Sequence, residues 1–367
     1  MAGTPGSDRG KERRRRLAGR PPVRPPAVGS KRPKSKPVPS KKDFDTQQTP
    51  QKQQAPFEYA AKCRVIRKIA DGGMGSVYLA EQIGATGFSK TVALKVIRKD
   101  RLSDSSTVAM FVDEAKLVAD LVHQNILQVY NLAAYGGRHF IVMEFLHGVT
   151  LTDFVKRHAE MGKLCPVDYA AFIASRVCRG LAYAHDKRDR QGRHLGIVHR
   201  DVTPSNVMID FRGFVKLTDF GIAKALETSV PDESEVIMGK LPYMSPEQAR
   251  GDITGPRSDI FSLGLVLYQI LTGETVYRPE SRKDLLRLMS EYRIVPPKRL
   301  RSSIPDDLDK VVMGALQPDV GKRYQGAKEF VDILEHYMYH DRYGPTNEKL
   351  AEYVRSVFPE SDRDRIE

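Results

Sequence analysis

Ile197-Val198-His199-Arg200-Asp201-Val202-Thr203-Pro204-Ser205-Asn206 sets an aspartate five positions before an asparagine. A second aspartate follows in Thr218-Asp219-Phe220-Gly221. One carboxylate that can orient a hydroxyl, with an amide and a second carboxylate that can hold Mg²⁺, is the set that phosphoryl transfer from a nucleotide requires. The reaction needs little covalent help, so positioning and charge neutralisation dominate.

Upstream, the pattern is strand-like through Val65, Ile66 and Ile69. It then turns through Ile69-Ala70-Asp71-Gly72-Gly73-Met74-Gly75-Ser76-Val77 and resumes at Tyr78 and Leu79. Glycines let a backbone approach phosphate oxygens and point N–H groups at them. Taken alone, this loop is also compatible with an ordinary hairpin. Thr91-Val92-Ala93-Leu94-Lys95-Val96-Ile97 is β-branched and apolar with one lysine, 18 residues beyond Val77. An amphipathic helix is expected over Thr107–Val122, with Met110, Phe111, Ala115, Val118 and Leu121 on its apolar face. Residues 167–185 read as a long helix, and Asn347–Phe358 as a short one that must dock to be stable.

The ordered series Gly-rich loop, Ala-Leu-Lys, His-Arg-Asp, Asn, Asp-Phe-Gly and Ser245-Pro246-Glu247 resembles the protein kinases. More narrowly it resembles bacterial eukaryotic-type (Hanks-type) serine/threonine kinases, in a subgroup with a Thr/Ser-Pro variant of the catalytic loop. The resemblance covers roughly Phe57 to Tyr339. It implies an α+β, bilobal protein-kinase fold, with a small β-rich N-lobe carrying one main helix and a large, mostly helical C-lobe. The implied boundaries are a tail at 1–56, a kinase domain at 57–340 divided after residue 145, and a docking helix and tail at 341–367.

The resemblance also implies roles. ATP and Mg²⁺ are the expected cofactors, and protein hydroxyls the expected acceptors. Ile69 to Val77 would cover the nucleotide, with Ala70 standing where the family usually has its first glycine and Gly72 and Gly75 matching. Lys95 would take the α- and β-phosphates. Glu114 is the favoured ion-pair partner of Lys95, with Asp113 the competing choice. Val77 and Ala93 would line the adenine pocket from above and Met208 from below. Met143 would be the gatekeeper, and the backbone of Glu144 and Leu146 would bond adenine. Asp201 would be the catalytic base, and Asn206 and Asp219 the metal ligands. His199 and Phe220 resemble buried packing residues of the family.

One departure stands out. Two residues after the catalytic Asp the family usually has lysine; here it is Thr203. In Gly239-Lys240-Leu241-Pro242-Tyr243 the reverse holds, with Lys240 where threonine is usual. The two types are exchanged, so Lys240 is a candidate catalytic residue supplying the charge that Thr203 lacks. The alternative function is a weakly active pseudokinase or nucleotide-binding scaffold. Thr228, Ser229 and Ser234 lie in the implied activation segment as candidate phosphate acceptors, with Arg200 as the phosphate's partner. Glu247 and Arg323 resemble a buried structural ion pair, and Asp259 the residue that holds the catalytic loop.

Composition completes the reading. Of 367 residues, 40% are hydrophobic, enough for a sizeable core. Fifteen Lys and Arg against four acids place +11 of the net +13 in residues 1–56. That tail, with Arg13 to Arg16, a proline run and a Gln patch, lacks apolar periodicity and reads as disordered. It is a candidate tether for an acidic partner, nucleic acid or an anionic membrane surface. The apolar run Ile260–Leu271 is about a dozen residues against the roughly 20 of a membrane span, and it reads instead as a buried helix of the large lobe. Cys63, Cys165 and Cys178 form no C-x-x-C pair, which favours reduced thiols and a cytoplasmic location.

Overall fold

The computed structural model describes residues 62–71, 75–97, 105–135, 138–220, 238–291, 293–340 and 343–360. The basic tail, Gly72 to Met74 and the candidate phosphate acceptors Thr228, Ser229 and Ser234 lie outside these residues.

The N-terminal part is an antiparallel sheet in the order β1-β2-β3-β5-β4. Its strands are β1 (Lys62–Asp71), β2 (Gly75–Ile83), β3 (Ser89–Ile97), β4 (Val129–Tyr135) and β5 (Arg138–Glu144). In β3, Val92, Ala93, Leu94, Lys95 and Ile97 are all buried, so this central strand is covered on both faces. β1 forms one edge of the sheet, and Val65 and Ile66 are each 55% exposed there rather than packed. The helix α1 (Ser105–Ala119) packs Phe111, Ala115 and Val118 inward. It stops three residues before the expected Val122. Leu121 is nevertheless fully buried, donating its N–H to Val118 O from the turn that follows the helix.

The C-terminal part opens on a three-stranded antiparallel sheet, β6 (Gly148–Thr150), β7 (Val207–Asp210) and β8 (Val215–Leu217). The helices α2 (Leu151–Glu160) and α3 (Val167–His185) pack on it, and α4 (Pro246–Arg250) and α5 (Pro256–Thr272) follow later in the chain. After them come α6 (Arg282–Glu291), α7 (Pro297–Leu300), α8 (Asp306–Ala315), α9 (Ala327–Tyr339) and α10 (Asn347–Val357). α5 is mostly apolar and is buried from Ser258 to Tyr268, which makes it the axis of the core. No helix among the described residues is long and apolar enough to cross a membrane.

α10 docks by specific contacts. Leu350, Val354, Val357 and Phe358 join the main core. Tyr353 stacks on Tyr169 at 4.7 Å and bonds His158 Nε2 at 2.6 Å. Because His158 Nδ1 lies 2.7 Å from the Phe154 carbonyl, Nδ1 carries the proton and Nε2 accepts from the Tyr353 hydroxyl. Arg355 donates to Phe211 O at 2.7 Å, and Arg157 donates to Val357 O at 3.1 Å. Gly213, at φ 83°, lies in the turn between β7 and β8, where a Cβ would collide with the Asn347 carbonyl. Burying each large apolar side chain of α10 contributes about 1.5–3 kcal/mol as an upper bound, against the entropy of ordering one helix. Ending the chain at Gly344 is therefore expected to lower Tm by on the order of 10 °C. Scanning calorimetry that finds Tm unchanged would show the docking to be idle.

Candidate active site

Strand register builds one wall of the site. Val77 pairs with Lys95 across β2 and β3, and Ala93 pairs with Met143 across β3 and β5. Val77, Ala93, Met143, Leu146 and Met208 belong to one apolar cluster, so the residues expected above and below an adenine ring do converge. Gly75 has a reason the sequence did not reveal. A Cβ there would collide with the Val96 carbonyl, so the close pairing of β2 and β3 itself requires glycine. At the turn, Ser76 donates to Asp71 Oδ1 at 2.6 Å, and Lys68 pairs with the other carboxylate oxygen at 3.1 Å. Ala70 is exposed opposite Val77, and Ile69 is half-buried.

The hinge differs in one detail. Glu144 donates its N–H to Gln128 O at 2.9 Å, so an adenine contact from its backbone falls to its carbonyl. Its carboxylate pairs with Lys216 at 2.8 Å, joining β5 to β8. Nothing in the local pattern marks Lys216. Its position opposite Met208 in the β7–β8 ladder brings it there.

Lys95 Nζ lies 2.8 Å from Asp219 Oδ1, although 124 residues separate them. A small cavity of about 20 Å³, lined by Lys95, Ala115, Val118, Leu127, Met143 and Asp219, lies beside the pair. Glu114 belongs to α1, but its side chain is not described. Asp113 is exposed and pairs with Lys116 at 3.3 Å, which removes it as the competing partner of Lys95.

Asn206 donates through Nδ2 to both Asp201 O (2.9 Å) and Asp201 Oδ2 (2.6 Å). These bonds fix the orientation of the amide and present Oδ1 as the oxygen available to a cation. The Asp219 carboxylate is 48% exposed. An amide oxygen and a carboxylate form an all-oxygen donor pair, which fits a hard cation such as Mg²⁺. Lys240 Nζ stands 3.5 Å from Asp201 Oδ2. The Thr203 hydroxyl is bonded to Ser205 Oγ at 2.9 Å.

The loop carrying Asp201 is held from beneath. Asp259, buried on α5, accepts the N–H groups of His199 and Arg200 at 2.8 Å each, and His185 Nε2 lies 2.8 Å from the same carboxylate. Arg200 takes φ 62° and Asp219 φ 51°, in the left-handed region that costs a non-glycine residue energy. The Asp259 bonds hold Arg200 in that conformation. His199 accepts from Asp201 N–H at Nδ1 and so donates from Nε2 to Thr218 O, with its ring 4.6 Å from that of Phe220. Both rings are buried, as packing residues should be. Gln248 on α4 donates to Arg200 O at 2.9 Å, a tie the sequence reading missed because nothing local to Gln248 points to a carbonyl 48 residues away.

Glu247 and Arg323 form a bidentate pair at 2.7 and 2.8 Å, with Ser258 donating to Glu247 Oε1. Burial alone would push the Glu247 carboxyl up, but the Arg323 guanidinium and Ser258 hydroxyl outweigh it and hold it at about 2. The His336 and His340 rings stack at 4.3 Å. No cluster of three or more His, Cys, Asp or Glu able to hold a metal occurs among the described residues.

Lys95 of the sheet-rich part, paired with Asp219 next to the Asp201–Asn206 loop of the helical part, is the arrangement of side chains found in the protein kinases. Residues 63–343 match the model of the protein kinase domain, and the chain belongs to that family. It is 34% identical over 305 residues to tyrosine-protein kinase MasK of Myxococcus xanthus, covering 82% of this chain and 47% of that protein. It is 39% identical over 264 residues to serine/threonine-protein kinase PknB of Mycobacterium leprae, covering 70% and 40% respectively. For serine/threonine-protein kinase PrkC of Bacillus subtilis the identity is 33% over 270 residues, covering 74% and 39%. The chain thus spans less than half the length of these curated relatives. Among solved structures, the kinase domain of Mycobacterium tuberculosis PknI superposes with a TM-score of 0.56 at 26% identity, covering 74% of this chain and 94% of that one. The fold is accordingly the bilobal α+β kinase fold.

Proposed function

We propose that this chain is an ATP-dependent protein kinase that transfers the γ-phosphoryl group to serine or threonine hydroxyls of proteins, its own activation segment included. The observation that carries the reading is the meeting of Lys95 and Asp219 at 2.8 Å in the structure that also sets Asn206 on Asp201. In the transfer, the acceptor hydroxyl oxygen forms a bond to the γ-phosphorus. The bond from that phosphorus to the β,γ-bridging oxygen breaks, and its electron pair stays on ADP. The hydroxyl proton passes to Asp201, which orients the acceptor. Lys95 takes the α- and β-phosphates, and Glu114 holds Lys95. Val77, Ala93 and Met208 hold the adenine, with Met143 as gatekeeper and the Glu144 carbonyl and Leu146 backbone at its edge. Asn206 and Asp219 would hold Mg²⁺, which when bound neutralises charge on the phosphates. The segment Ile69 to Val77 covers the nucleotide.

The basic tail remains a candidate tether, read by the salt dependence of binding with and without residues 1–56. Acceptor specificity has a second reading, favoured by the likeness to a kinase named for tyrosine. Incubating the full chain with radiolabelled ATP and Mg²⁺, then analysing the labelled amino acids, tests both. Label on serine or threonine is expected. Label on tyrosine alone rejects the acceptor class, and no label rejects the kinase reading in favour of a scaffold.

A further inference from the structure

We infer that Lys240, carried by the segment after the Asp-Phe-Gly motif and not by the catalytic loop, is the cation that contacts the transferring phosphoryl group. This inference rests on the kinase reading above.

Four observations support it. Lys240 Nζ stands 3.5 Å from Asp201 Oδ2, the same oxygen that accepts from Asn206 Nδ2. That separation is within ion-pair range but longer than a charge-assisted hydrogen bond of about 2.7–2.9 Å. The Lys240 side chain is also 23% exposed, so an incoming anionic oxygen can reach it. On the catalytic loop itself, Thr203 is buried and brings no charge; its hydroxyl bonds to Ser205.

The position of Lys240 is also built. It caps the turn Leu241–Tyr243, accepting the Tyr243 N–H at 2.9 Å. Leu241 is fully buried, and the Tyr243 hydroxyl donates to Gln269 on α5 at 2.7 Å. α4 follows at once and is tied by Gln248 to the carbonyl of Arg200. The backbone that bears Lys240 is thus pinned on the core and on the catalytic loop. A cation held there acts only when this turn is seated. The charge that assists transfer is therefore supplied by the segment, and displacing the turn removes it. In the transfer step, the lysine stays protonated and neither gains nor loses a bond. It stabilises the negative charge on the equatorial oxygens as the new O–P bond forms and the old one breaks.

The test compares the full chain with Lys240→Ala and with the double exchange Thr203→Lys/Lys240→Thr, after matched thermal melts. Lys240→Ala is expected to lower kcat by about 10²-fold, as loss of one charge-stabilising donor does, with KM for ATP within a few-fold. The double exchange is expected to recover most of that loss, because the cation is returned from the catalytic loop. A kcat for Lys240→Ala within a few-fold of wild type overturns the inference, and so does a double exchange as slow as the single variant. A second arm needs no turnover. Binding of Mg-ADP with aluminium fluoride, a mimic of the phosphoryl group in the transition state, is compared with Mg-ADP alone. Lys240→Ala is expected to weaken the first at least tenfold more than the second, and equal loss overturns the inference. If wild type transfers no phosphate, the kinase reading falls and the inference with it; a wild type that transfers phosphate while the two losses are equal overturns the inference alone.

Discussion

Asp201→Asn is expected to lower phosphoryl transfer by about 10²–10⁴-fold, the range over which a positioned acid–base group acts. The substitution keeps the shape of the side chain, so the Asn206 amide still finds an oxygen acceptor in place of Asp201 Oδ2. What is lost is the charge that pairs with Lys240 and attracts the acceptor proton. Affinity for Mg-ATP should change little, because Lys95, Asp219 and the apolar cluster around Met143 and Met208 are untouched. Initial rates at saturating ATP, with nucleotide affinity measured alongside, separate the two effects. A variant that retains more than a tenth of wild-type turnover would show that Asp201 is not the group that orients the hydroxyl.

Arg323→Met is expected to destabilise the fold by about 3–5 kcal/mol, the range for removing one partner of a buried ion pair. Arg323 is 2% exposed and Glu247 4%, so a lone carboxylate there has no water to turn to. Arg323 also donates to the carbonyls of Gln317, Arg257 and Pro318, and these acceptors lose a partner together. The pH dependence gives an independent check. With the folded carboxyl held at about 2 against an ordinary value of about 4.3, Glu247 contributes stability that is complete above the unfolded value. That contribution, on the order of 3 kcal/mol, is lost as pH falls from about 5 towards 2. In Arg323→Met, burial dominates and the folded carboxyl rises above its unfolded value, so this group's contribution grows as pH falls. Urea unfolding of both proteins between pH 3 and 7 tests this. Parallel pH profiles would mean that the pair is not what sets the acid limb.

The site was legible in the sequence to the extent that its chemistry is local. Asp201 and Asn206 are held five apart by a single turn, in which Asn206 N–H bonds Thr203 O, so their spacing alone announces the pair. The buried helix over Ile260–Leu271 and the long helix at 167–185 were readable because burial on all sides or on one stripe leaves a pattern that repeats within a few residues. The exchange of Thr203 and Lys240 was visible as an exchange of residue types. The sequence carried no measure of how far Lys240 would stand from Asp201.

The end of α1 was misread for a related reason. Leu121 continues the apolar spacing beyond the last helical residue, yet it reaches the core from a turn, and periodicity does not distinguish the two. Gly75 was read for its approach to phosphate, whereas the collision that excludes a side chain there comes from Val96 on the neighbouring strand.

By itself, the sequence determined the order of elements, the apolar faces that must be buried and the identity of the acidic and amide groups that can serve a nucleotide. Only the tertiary structure decided that Lys216 meets Glu144, that Gln248 holds Arg200, that Tyr353 reaches His158 and that Lys240 stands 3.5 Å from Asp201. Each of these joins positions 39 to 195 residues apart. Residue pattern reports which face of a helix or strand seeks the core. Which distant polar groups then meet is set by how the buried faces pack, since those groups take the partners that packing leaves within reach.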